Sequence, residues 1–260
     1  GSLNLGGSGG DITGTTLISG VTITNAGGFG GILLNNAQNG STTNLTNVSI
    51  SNGTGSGLTV TNSKTGAIYN LTNVDILNVG GTGTLLQNSN GTFNVDATSS
   101  ITNAGVAGFA IDGGAINVTN NGTISQSQNA PLLSVSNNHT GTVNFTASSS
   151  LTSNNGNGMQ FNGANGTYNL LGTNSMTAGD AGIDILASTG TFVFNNPVIN
   201  NTASGTGVNI SGAAITTFNG LNITTNAGTG FKVVNGGLTT VNGTANVTAA
   251  GQAAIDISGT

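Results

Sequence analysis

The feature that most constrains this chain is a repeat. Leu45-Thr-Asn-Val48-Ser-Ile50-Ser-Asn52 aligns without gaps with Leu71-Thr-Asn-Val74-Asp-Ile76-Leu-Asn78 and with Ile18-Ser-Gly-Val21-Thr-Ile23-Thr-Asn25. Each block is followed by a glycine-containing turn and a second apolar run, at residues 32–34, 58–60 and 85–86. The first position of the block recurs at Ile18, Leu45, Leu71, Val95, Val118, Phe145, Leu170, Phe194, Phe218 and Val241, in steps of 23 to 27 residues. A unit this short cannot bury its own apolar face. It gains a core only by stacking on its neighbours, which makes a regular period of this size the mark of a solenoid. Within each unit the apolar residues alternate with polar ones, the period of a β-strand. The runs end in Asn-Gly, Asn-Ala-Gly or Gly-Thr-Gly, which are turn sequences. The pattern therefore predicts an all-β chain, one continuous domain over residues 1–260, wound as a parallel β-helix of about ten coils with two or three strands each. A β-barrel or sandwich would leave the near-equal spacings unexplained.

In such a coil each strand pairs in parallel with its counterpart one turn away, so equivalent inward side chains stack. The phasing puts Tyr69 over Phe93, Tyr168 over Phe192 and Phe194 over Phe218. Asn62, Asn88, Asn137 and Asn235 close the second strand of their coils. Asparagine tolerates the left-handed backbone that a corner needs, and stacked amides can hydrogen-bond along a column.

Composition enters as a check on this reading. The 45 Gly, 41 Asn and 41 Thr make up about half of the chain, a bias also found in disordered proteins. Here, however, 35% of residues are hydrophobic, only two are proline, and the apolar residues are regularly spaced, so a core can form. The net charge of −5 comes from seven Asp against Lys64 and Lys232, too weak a field to imply nucleic acid as a partner. No apolar run is long enough to cross a membrane as a helix, so no membrane insertion is expected. The absence of cysteine suits proteins that cross membranes unfolded, and many others.

The repeat resembles the right-handed parallel β-helix of the pectin-lyase-like superfamily. In texture it is closest to the passenger domains of autotransporter and filamentous-haemagglutinin-like adhesins. The resemblance rests on the Asn/Thr/Gly/Ser richness, the missing Cys and segments such as Ile101-Thr-Asn-Ala-Gly105. It implies right-handed winding, an extracellular site at the cell surface or in the matrix, and a structural or adhesive role. It also admits a polysaccharide lyase or hydrolase, because enzymes of the superfamily share the fold.

Little in the chain supports such chemistry. It has no Glu and no Arg, and its one histidine, His139, lies in the polar run Ser136-Asn-Asn-His-Thr140, read as an exposed corner. Glycoside hydrolysis needs two carboxyl groups flanking one bond. Asp180 and Asp184, across a turn, are the only close pair, and Asp184 lies between two inward positions and should point outward. Gly6-Gly-Ser-Gly-Gly-Asp11 begins like a calcium-roll nonapeptide, but Thr13 stands where the apolar residue belongs and no tandem copy follows. No catalytic residue, metal or cofactor is expected. Threonine pairs hint at an ice- or glycan-binding face, yet Thr22/Thr24 and Thr59/Thr61 alternate with Ser49/Ser51, Asp75/Leu77 and Asn209/Ser211, so the face reads as irregular.

The last repeat looks like every internal one, and no capping helix or charged strand follows it. The expected partners are therefore further copies or adjoining coils, end to end and laterally, with host or matrix glycans as a second class. The scarcity of charge also predicts resistance to acid, since few ion pairs exist to lose.

Overall fold

The computed structural model describes residues 1–6, 10–28, 30–179 and 182–259. The chain winds as a right-handed parallel β-helix of about ten coils. Each coil has three faces. The first is an eleven-stranded parallel sheet running from Leu3–Leu5 through Gly30–Asn35, Ser56–Thr61 and Thr82–Ser89 to Ile255–Ser258. At about 4.8 Å per strand the rod is roughly 50 Å long. The second face includes Thr92–Val95, Asn117–Asn120, Thr142–Phe145, Thr167–Leu170 and Thr191–Asn195. The third includes Ser100–Ala104, Thr123–Gln126, Ser150–Ser153, Thr173–Thr177 and Val198–Asn201. In the outer coils a single strand serves both of these faces, as in Thr42–Ser51, Ile68–Val79, Ile215–Thr225 and Thr239–Ala249. One left-handed residue is enough to turn that corner in the coils of Asn47, Asn73, Gly220 and Gly243. In the middle coils the corner is wider, for example Asp96-Ala97-Thr98-Ser99, and the strand is split in two.

Alternation then decides what lies inside. Two inward columns run along the second face. One holds Tyr69, Phe93, Val118, Val143, Tyr168 and Phe192 in consecutive register. The other holds Ile18, Leu45, Leu71, Val95, Asn120, Phe145, Leu170, Phe194, Phe218 and Val241. Tyr168 stacks on Phe192 at 4.8 Å and 16°, and Phe194 on Phe218 at 5.2 Å and 15°, whereas Tyr69 meets Phe93 tilted at 43°. Burying these rings together with the Ile, Leu and Val of the same core stabilises the stack by about 25 cal/mol per Å² of apolar surface removed from water.

One repeat position is corrected. Val118 pairs with Phe93, not with Val95, and the residue over Val95 is Asn120. An apolar pattern skips Asn120 because it is polar, yet the side chain is buried and its Oδ1 accepts the Gly122 N–H at 2.9 Å. The third face contains the same device. Asn174 stands over Leu151, donates to the Leu170 and Gly172 carbonyls at 2.9 and 3.0 Å, and passes the apolar place to Met176, two residues on. Where the hydrophobic frame slips by two, a buried asparagine fills the vacated slot.

The corner after the first face is left-handed in every coil from Asn36 on. Asn36, Asn62, Asn88, Gly113, Asn137, Gly163, Ala187, Gly212, Asn235 and Gly259 all have positive φ. Asn62, Asn88, Asn137 and Asn235 thus occupy the corner, but they form no amide column there. Asn62 donates to Asn35 at 3.2 Å and Asn137 to Asp112. The amide columns run elsewhere: Asn44–Asn70–Asn94 at 2.9 and 3.0 Å and Asn144–Asn169 at 2.6 Å on the second face, and Asn47–Asn73 at 2.9 Å at its corner.

A column of glycines opens the first face. A Cβ on Gly31, Gly57, Gly83 or Gly108 would sit 2.4–2.8 Å from Cγ2 of Ile50, Ile76, Ile101 or Ile124 of the next coil. Gly182 and Gly207 stand in the same relation to Ile199 and Ile223. These glycines are close-approach positions, where the third face's branched side chains press against bare backbone.

Candidate functional site

The outward columns separate the three faces chemically. The first face carries Asp112, Asp184, Lys232 and Asp256 on its strands. The second is uncharged along its strands. One outward column reads Thr15, Thr42, Ile68, Thr92, Asn117, and continues with Thr142, Thr167, Thr191 and Ile215; the next contains the asparagine amides. The third face is an array of hydroxyls. Thr22/Thr24, Ser49/Ser51, Ser100/Thr102, Thr123/Ser125, Ser150/Thr152 and Thr173/Ser175 flank a buried residue in their coils, with Asp75/Leu77 interrupting the series, and the three coils after the series carry Val198/Asn200, Asn222/Thr224 and Asn246/Thr248 instead. Strand register places these pairs directly above one another over seven successive coils. Thr59/Thr61 and Asn209/Ser211 belong to the first face. Part of the irregularity expected from the sequence comes from mixing two faces; Asp75/Leu77 interrupts the third face itself.

The carboxylates are held within the ladders. Asp112 accepts from Gln87 at 3.0 Å, from Ser136 at 3.1 Å and from Asn137. These bonds, Gln87's first, hold its carboxyl below the usual range against the opposing effect of burial. Asp96 caps the wide corner, taking bonds from the Asn73 and Thr98 N–H groups and the Thr98 and Ser99 hydroxyls. Burial, the largest single influence, pushes its pKa up, but the bonds together hold it lower than usual. Asp75 accepts from Ser100 at 2.5 Å. Asp184 sits outward on Ile183–Leu186, where Gln160 donates to it at 2.8 Å. Its sequence partner Asp180 lies outside the described residues, as do Gly7, Ser8 and Gly9 of the glycine run before Asp11. Among the described residues no three His, Cys, Asp or Glu side chains come together.

His139 is the second correction. It is fully buried, not at an exposed corner. Its Nε2 lies 2.9 Å from the Ile116 carbonyl, which can only accept, so Nε2 carries the proton. Nδ1 then accepts from the Tyr168 hydroxyl at 2.9 Å, whose hydrogen is shared with the His139 carbonyl at 3.1 Å, and that hydroxyl accepts from the Gly166 N–H at 3.2 Å. The polar run around His139 reads as surface because Tyr168, its partner, is one coil and 29 residues away. Burial pushes the imidazole pKa below the ordinary 6.5, with the Ile116 carbonyl opposing in part. The folded chain therefore keeps His139 neutral where the unfolded chain takes up a proton. Stability from this group is complete above about pH 6.5 and is lost as pH falls towards the folded pKa. Urea midpoints measured from about pH 8 down to about pH 5 should fall in the wild type and stay flatter in His139→Phe. A flat wild-type profile would contradict this burial. The acid resistance expected from scarce charge is thus qualified at one coil.

The two buried tyrosines in the same column should respond oppositely to loss of their hydroxyl. Burial raises both phenols to about 12. Tyr69 Oη makes no hydrogen bond of good geometry; the Ser63 hydroxyl beside it, which donates to the Asn90 carbonyl at 2.7 Å, offsets the effect of burial only in part. Tyr69→Phe should raise stability by about 1 kcal/mol, while Tyr168→Phe, which orphans His139 Nδ1, should lower it by about 1–3 kcal/mol. Denaturant midpoints of the two variants in parallel make the comparison; shifts of the same sign would refute it.

Thr239–Ala249 and Ile255–Ser258 carry half-exposed apolar residues, Val241 and Ile257 among them. Leu221, Phe231, Val233, Val241, Val247 and Ile257 line a cavity of about 400 Å³ there.

Searches with this chain match no protein-family model, no curated protein and no solved structure.

Proposed function

We propose that this chain is a structural and adhesive segment of an extracellular bacterial surface protein or filament, and that it has no catalytic role. The observation that carries the reading is the use made of the polar groups. Asp75, Asp96, Asp112 and His139 bond to neighbouring coils, so they tie the stack together. Asp184 faces outward on a flat strand bonded to Gln160, a placement that suits a ladder better than a paired-carboxylate cleft. Stacking of a further copy or of adjoining coils fits the solenoid geometry, in which each strand pairs in parallel with its counterpart one turn away. The charge-poor second face leaves lateral contact between rods unopposed by repulsion.

Electron microscopy of native material, with antibody labelling of intact cells, tests the reading. Rods lengthened by about 50 Å per copy, labelled at the cell surface, are the expected result. Label confined to the cytoplasm would overturn the localisation. Cleavage of a polysaccharide by the wild type but not by Asp184→Asn would replace the structural role with an enzymatic one.

A further inference from the structure

The third face is more regular than a stalk requires. Its hydroxyls repeat at the sheet spacing of about 4.8 Å across coils and at about 6.6 Å, two residues, along each strand. Ser100 donates to Asp75 at 2.5 Å; among the described residues the remaining hydroxyls of the array make no side-chain hydrogen bond within the chain. They are donors and acceptors held in register along the sheet and turned to the solvent. We propose that this face binds ice.

Three observations select that occupant. First, the array is periodic in two directions, so a partner that is itself a lattice can engage both positions of each pair over several coils at once, with the contacts adding along the rod. Second, the array is uncharged apart from Asp75, and a strong local field would orient water around the charge and away from a tetrahedral network. Third, every described aromatic ring is buried, so the face offers no platform on which sugar rings could stack. Contact with a second copy would exchange bonds to water for bonds to protein at small net gain. On ice the hydroxyls stay bonded to water, because they can take the places of lattice oxygens. The proposal does not rest on the adhesive reading, and either can fail alone.

The test is partition of the whole folded chain into a slowly growing ice front, with serum albumin as the excluded control. The wild type should enter the ice. A Thr102→Tyr/Thr152→Tyr variant, which breaks the plane at its centre, should be excluded like albumin. Ser134→Tyr, outward on the first face, should enter as the wild type does. Circular dichroism establishes that each variant keeps its β-structure, and Thr123→Lys, a single charge on the array, is a second probe should the double variant not fold. Exclusion of the wild type overturns the proposal. So does entry of both Thr102→Tyr/Thr152→Tyr and Thr123→Lys. Retention of the wild type on crystalline cellulose with exclusion from ice would overturn it in favour of a glycan surface.

Discussion

Phe194→Ala should destabilise the chain by about 3–5 kcal/mol, the cost of removing a fully buried ring from a core that cannot collapse around the void. Phe194 has no exposed surface and lies 5.2 Å from the Phe218 ring, 6.5 Å from Phe192 and 6.1 Å from Phe161. Collapse is blocked because the backbone on both sides is pinned by parallel pairing, Leu170 below and Phe218 above. In a solenoid the damage should also be local, because each coil contacts chiefly its neighbours. Native-state hydrogen exchange should show lost protection in Thr167–Leu170, Thr191–Asn195 and Ile215–Thr225, with Thr42–Ser51 and Ile68–Val79 little changed. A loss below about 1 kcal/mol would mean that neighbouring rings refill the space, and uniform loss of protection would mean that the rod melts as one unit.

Gly57→Ala is the second large effect, and it comes from adding one methyl group. The new Cβ would lie 2.4 Å from Ile76 Cγ2 and 2.7 Å from the Gly83 carbonyl oxygen. The carbonyl belongs to a paired strand, and Ile76 is wedged between Ile50 and Ile101 in its own column. Neither can yield without disturbing a third coil. Overpacking of this kind costs typically about 1–3 kcal/mol, and the rigid backbone contact places Gly57 at the upper end. Thr59→Ala, outward in the same strand, should change stability by no more than about 0.5 kcal/mol. Denaturant titration of the two variants side by side measures the difference. A Gly57→Ala protein as stable as Thr59→Ala would show that the approach of the two faces is looser than described.

The glycine column shows how far a sequence can be read. Gly57 and Gly83 stand among turn residues and read as turn formers. Only the register, which sets Gly57 beside Ile76 of the following coil, shows that they are needed for their missing side chain. The hydroxyl array is a similar case. Thr22, Thr24, Thr59 and Thr61 look alike in sequence, but two point from the third face and two from the first. Strand alternation says only that a residue points outward. It does not say which face it points from, because that depends on how many residues the corner between two strands consumes. His139 was misplaced for a related reason, since the groups that satisfy it, Ile116 and Tyr168, belong to adjacent coils.

The sequence by itself determined the winding: strands, a period of 23 to 27 residues, and aromatic columns such as Phe194 over Phe218. Burial of apolar side chains is a local, periodic demand, and it leaves its mark at every repeat. The tertiary structure alone decided where the frame slips, at Asn120 and Asn174, and which polar groups go inside. A buried polar side chain needs a partner: Asn120 and Asn174 find theirs at the corner of their own coil, whereas His139 takes its partners from neighbouring coils, a fact of stacking that no single repeat contains.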